Sequence, residues 1–185
     1  MKPLLLCLLL AYSSVFGQTK KTTSTKAKKE PAIVVGVRAL EAKNGFRTYK
    51  FGTPIEKISG LRKIDSSDFD GQVYERPAEH MGVGPTRLTS LLFISIKGRL
   101  SGFVLGCYGS SNAANLLAIL QSQYGSGLVY SDNHVTWPGK KVSMDYTFSG
   151  GENEKCTVVI LSNTSANERA GLADEKAIKK GTKDL

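Results

Sequence analysis

Residues 141–148 read Lys-Val-Ser-Met-Asp-Tyr-Thr-Phe, and no other stretch narrows the choice of fold so far. Val142, Met144, Tyr146 and Phe148 alternate strictly with Lys141, Ser143, Asp145 and Thr147. A period of two puts the apolar set on one face of a strand and the polar set on the other, so this segment is a half-buried strand. It follows residues 134–137 across Pro138-Gly139-Lys140, whose Pro-Gly pair is a turn signal, and the two stretches make a hairpin. After Gly150 and Gly151 the run "KCTVVILS" supplies a third apolar strand. Asp145 belongs to the polar rhythm of the sheet, and its position implies no catalytic partner.

A second hairpin precedes it. Residues 91–96 and 100–107 flank Lys97-Gly98-Arg99, where Gly98 supplies the positive backbone angle of a tight turn. Leu92, Ile94 and Ile96 share one face of the first strand, and Phe103, Leu105 and Cys107 share one face of the second. Between the hairpins lies "SSNAANLLAILQSQYG", with Ala113, Leu116, Leu117, Leu120 and Tyr124 at helical spacing. Ser111 is the expected N-cap, and Gly125 the left-handed residue that ends the helix.

Upstream, "AIVVGV" and "GFRTYKFG" read as strands. Thr53-Pro54 opens a short helix, "PIEKISGL", that stops near Gly60. From Ile64 to Arg87 the chain is loop-like, with a short strand at "GQVYER". Helix then hairpin, met twice, predicts an α+β fold: an antiparallel sheet with two helices on one face, in two helix–hairpin halves. The segments "NGFRTYKFGTPIEKI", "LLAILQSQYG" and "VTWPGKKVSMDY" resemble small exported bacterial α/β domains. Their plan is similar to β-lactamase-inhibitor-protein-like and outer-membrane-assembly-lipoprotein-like folds. That resemblance implies a non-enzymatic envelope domain that binds something. The lipoproteins also carry a lipidated cysteine just after the signal core, and this chain has none there.

The chain begins with Lys2, a short apolar run from Leu4 to Ala11, and small residues at Val15 and Gly17, the pattern of a secretory signal peptide. Cleavage is expected between Gly17 and Gln18. The apolar run is under half of the ~20 residues a membrane span needs. Residues 1–17 are thus read as a signal and 18–31 as a disordered Lys/Thr-rich tether. Residues 32–163 are read as one α+β domain and 164–185 as a flexible charged tail. The net charge of +9 is uneven. Lys2 and the tether account for +5 and the tail for +1, which leaves +3 for the domain. A nucleic-acid-binding domain concentrates its basic residues on a folded face, so nucleic acid is not the expected partner. A basic arm can instead touch anionic surfaces weakly by charge alone.

Once Cys7 leaves with the signal, Cys107 and Cys156 remain, both on the apolar faces of expected strands. Two readings stand. One is a disulfide closing a loop of about 50 residues, stabilising by roughly 3–4 kcal/mol; the other is two inert buried thiols. Use of Cys107 as a nucleophile with His80 or His134 as base would make a hydrolase, though "LGCYGS" carries no catalytic signature. His80 has no histidine partner four residues away, and no Cys/His cluster has zinc spacing. "GVGPT" lacks the Gly-Lys-Ser/Thr ending of a phosphate loop. "DSSDFD" lacks the glycine and terminal glutamate of an EF-hand. No metal or cofactor is expected. Trp137, beside the Pro-Gly turn with Tyr130 and His134 as neighbours, is the candidate for stacking on a sugar or anchoring a partner. The expected function is therefore that of a secreted or periplasmic, non-catalytic domain that binds a protein or envelope polymer. A cysteine hydrolase and a carbohydrate-binding module centred on Trp137 stand as alternatives.

Overall fold

The computed structural model describes residues 32–64, 71–151 and 154–164. The expected cleavage at Gly17 and Gln18, the tether 18–31 and the tail beyond Thr164 lie outside the described residues, as does the "DSSDFD" segment. Two helices and twelve strands make up the described part: α1 (Ala32–Lys43), β1 (Gly45–Phe46), β2 (Tyr49–Lys50), β3 (Arg62–Ile64), β4 (Gln72–Glu75), β5 (Gly82–Val83), β6 (Thr86–Arg87), β7 (Ser90–Ile96), β8 (Arg99–Tyr108), α2 (Ser110–Tyr124), β9 (Leu128–Ser131), β10 (His134–Pro138), β11 (Val142–Ser149) and β12 (Lys155–Ser162). Eight strands form one antiparallel sheet in the order β3-β4-β7-β8-β12-β11-β10-β9, with β1–β2 and β5–β6 as separate two-stranded ribbons. This is an α+β architecture built on a large antiparallel sheet.

The alternation in residues 141–148 works as expected. Val142, Met144 and Tyr146 are buried in the main core, Phe148 packs partly against it, and Ser143, Asp145 and Thr147 take the other side. Leu40 of α1 and Ala113, Leu116, Leu120 and Tyr124 of α2 join that core with Phe93, Phe103, Leu105, Val135 and Val158 from the sheet. In β7 the residues facing this core are Leu91 and Phe93. Ile94 and Ile96 are buried as well, with Val73 paired to Ile94 across the ladder. At the β7–β8 turn both Lys97 (φ 50°) and Gly98 (φ 73°) are left-handed, the requirement of the two-residue turn whose twist matches that of the strands.

Three expectations give way. "AIVVGV" opens helix α1 and is no strand. Its β-branched run imitates a strand, but it continues into "RALEAK", residues of strong helix propensity, and the helix ends at Asn44 (φ 46°), whose N–H bonds the Leu40 carbonyl. "PIEKISGL" is a single 3-10 turn, Ile55–Lys57. The Ile55 N–H is drawn to the Gly98 carbonyl, and Pro54 bridges to Arg99, so this segment is tied to the β7–β8 turn before a helix can extend. The first of the two expected helix–hairpin halves therefore lacks the helix assigned to it. Finally, Ser111 does not cap α2. The helix starts at Ser110, after Gly109 (φ 88°), and the Ser110 N–H is met by Glu154 Oε2 at 2.7 Å. A carboxylate suits the positive end of the helix dipole as well as a hydroxyl does.

Helix α1 is fastened both to the sheet and to α2. Glu41 accepts hydrogen bonds from the backbone N–H groups of Lys140 and Lys141, the latter at 2.9 Å, and so caps the Pro-Gly turn between β10 and β11. Gly36 meets the C-terminus of α2 so closely that an added Cβ would collide with the Tyr124 carbonyl. None of the described helices is long and apolar enough to cross a membrane.

Candidate protein-binding edge

The two edges of the main sheet are built differently. At one edge β3 is three residues long and carries Arg62 and Lys63, with the Arg62 Nε donating to Glu75 Oε1 of β4 at 2.7 Å. Charge and brevity are how natural sheets blunt an edge. At the other edge β9 reads Leu-Val-Tyr-Ser, with no charge and no proline, and every residue is exposed. Leu128 is 38 % exposed, Val129 64 % and Tyr130 69 %. β9 pairs with β10 on one side, in a register that shifts between His134 and Val135. Its other side is an edge of the sheet.

Tyr130 and His134, expected beside Trp137, meet each other instead. Their rings stack with centroids 5.3 Å apart and planes inclined at 26°. His134 Nε2 lies 3.6 Å from Asp145 Oδ1, with both side chains more than two-fifths exposed, a solvated pair that adds little stability. Trp137 does not join them. It is fully buried, and its indole N–H donates to the Gly125 carbonyl at 2.9 Å, closing the C-terminus of α2. The expectation of Trp137 as a sugar platform is corrected: its ring is spent on the core, and it presents no face to a ligand.

Cys107 and Cys156 stand directly opposite each other in the β8–β12 ladder, both fully buried. They are free thiols, so the disulfide reading yields to the thiol reading. Burial pushes the Cys107 thiol up from its ordinary value, against an opposing effect of the neighbouring Cys156. Burial pushes Cys156 up further, helped by Cys107. A nucleophilic cysteine needs the reverse, a lowered pKa in an accessible place.

A second charged cluster was not legible in the sequence. Glu79, its side chain 8 % exposed, receives Arg47 Nη1 at 2.6 Å on one oxygen. Its other oxygen receives the Tyr49 hydroxyl at 2.7 Å and Arg76 Nη1 at 3.0 Å. Arg76 Nη1 also donates to the Tyr49 hydroxyl at 2.8 Å, and Arg47 Nη2 to the Gly82 carbonyl at 2.9 Å. Burial alone would raise the Glu79 pKa, but the three donors outweigh it and hold the carboxyl below its ordinary value. Burial and the carboxylate beside it raise the Tyr49 hydroxyl. Arg47 and Tyr49 lie 32 and 30 positions from Glu79, and no motif links the two segments. Leu128 and Val129 were missed as well, although Asp132-Asn133 between "LVYS" and "HVTW" is a hairpin signal that marks β9. Among the described residues, no three His, Cys, Asp or Glu side chains gather to hold a metal ion. Neither a family model, nor a curated protein, nor a solved structure matches the chain.

Proposed function

We propose that this chain is an exported, non-catalytic domain that binds another protein, and that the partner adds an extended segment to the sheet along β9. The observation that carries the reading is the contrast between the edges: β3 is guarded by charge, whereas β9 exposes Leu128, Val129 and Tyr130 beside a row of backbone groups. Strand addition to such an edge gives affinity through main-chain hydrogen bonds and selectivity through alternate side chains. Without residues 1–17 the chain carries +8 (the full +9 less Lys2), so two copies repel each other and the favoured occupant is an extended apolar segment with acidic flanks. The basic tether, residues 18–31, would hold the domain near anionic surfaces of the envelope. The buried Cys107 thiol speaks against the hydrolase alternative, and the buried Trp137 against the carbohydrate module.

The test uses the full chain and a synthetic peptide of alternating Val and Thr with Glu at both ends. Binding should slow hydrogen exchange at the amides of residues 128–131. A Val129→Lys/Tyr130→Lys double variant should lower the affinity at least about tenfold, since placing charges on an edge blocks pairing. No protection of β9 at millimolar peptide would sink the proposal, as would equal binding by the double variant. Concentration-dependent dimerisation through β9 in place of peptide binding would show that the partner is a second copy.

A further inference from the structure

Two clefts border residues 50–53, away from β9. The first holds about 270 Å³ and is lined by Thr48, Tyr49, Lys50, Thr53, Lys57, Ile58, Ser59 and Arg76. The second holds about 370 Å³, and its lining includes Arg99 and Lys141. Among the described residues, five cationic side chains and no carboxylate line the pair. Glu79 pairs with Arg76 and is shared with Arg47 and Tyr49, so it orients the Arg76 guanidinium without cancelling its charge, and Glu41 meets the Lys141 N–H at 2.9 Å beside the second cleft. Arg76 is held further by Nε donating to the Ser59 carbonyl at 3.0 Å. Lys57 has no partner among the described residues, and a charge without a partner at the wall of a cleft is free to meet a ligand. The lining of the first cleft also holds Ile58 and Tyr49, with hydroxyls on Thr48, Thr53 and Ser59.

We propose that the first cleft binds an anionic saccharide, with Lys57 and Arg76 on its phosphate or carboxylate. Tyr49 and Ile58 then lie against the sugar's apolar face, and the three hydroxyls meet its polar edge. The volume is just under the ~300 Å³ at which small-molecule sites begin, which suits one monosaccharide unit and its charged group. A guanidinium fixed by neighbours is preorganised for an oxyanion, and a mobile ammonium beside it adds charge without demanding geometry. The second, adjoining basic cleft gives a further charged unit of a polymer somewhere to go.

The test is heteronuclear NMR of the full chain titrated with glucose 6-phosphate, glucuronate, inorganic phosphate and glucose. Either acidic sugar should shift the amides of Tyr49, Lys57, Ser59 and Arg76, and the two arms tell phosphate from carboxylate. Glucose should leave those amides unmoved. Lys57→Glu, on an exposed side chain, should weaken binding about tenfold or more with the melting temperature unchanged, because it places a like charge against the anion. The proposal fails if no acidic sugar shifts these residues at 10 mM (roughly the ceiling of useful affinity), or if Lys57→Glu binds as the parent does. It fails in its sugar half if inorganic phosphate binds as tightly as glucose 6-phosphate.

Discussion

Glu79 gathers two arginines and a tyrosine that the chain supplies from places about 30 residues apart, so its ionisation is coupled to folding. Its carboxyl is held below the ordinary value in the fold. A depressed folded pKa contributes stability that is complete above the unfolded carboxylate range and is lost as pH falls through the folded value. Between about pH 6 and pH 3 the parent should therefore lose stability more steeply than Glu79→Gln, measured by urea unfolding. At neutral pH the same variant should be less stable by about 2 kcal/mol, the scale of charged hydrogen bonds left half-made. Equal pH slopes would mean that the cluster does not act through the charge of Glu79. Cys107 and Cys156 make the second prediction at this scale. Both thiols should resist alkylation in the folded chain, and both should react at once in denaturant without reductant, because burial keeps them protonated and out of reach. A native thiol that reacts quickly would revive the hydrolase reading.

Helix α1 passes the end of α2 at Gly36, where a side chain would meet the Tyr124 carbonyl. Gly36→Ala should raise helix propensity yet lower stability by about 1–3 kcal/mol, because overpacking outweighs propensity at a close crossing. A variant melting at or above the parent's temperature would show that α1 can shift away at no cost. The same helix marks the limit of what the sequence makes legible. α2 and β11 declare themselves because their apolar residues repeat at 3.6 or at 2 with one buried face to satisfy, and β8 and β12 because they are apolar runs bounded by turn residues. α1 does not, because Ile33, Val34 and Val35 obey strand propensity while their continuation into residues 38–43 and the Asn44 stop make the segment helical. The turn at Ile55–Lys57 was over-read for the converse reason. A proline after threonine signals a helix start, but a long-range bond from Ile55 to Gly98 claims the segment first. Trp137 was misplaced because alternation along β10 decides which face a residue takes, and position beside a turn does not.

Across the whole molecule, the charge and the sheet divide the work differently from what composition alone implies. The +9 of the chain is concentrated outside the domain, while the described sheet carries one guarded edge and one open edge. If the leader reading holds, the intact mass of the protein collected outside the expressing cell should match a chain beginning at Gln18. A mass that retains residues 1–17 would overturn export and the proposed partner's compartment with it. The asymmetry of the edges has a consequence for how large an assembly this sheet can seed. A sheet with two open edges is bivalent and propagates, each added strand exposing another acceptor, which is how fibres begin. A sheet sealed by Arg62 and Lys63 on one side is monovalent: whatever docks on β9, the assembly ends at β3. Such a molecule can cap a growing sheet or complete a partner's, and it cannot template a chain of its own kind.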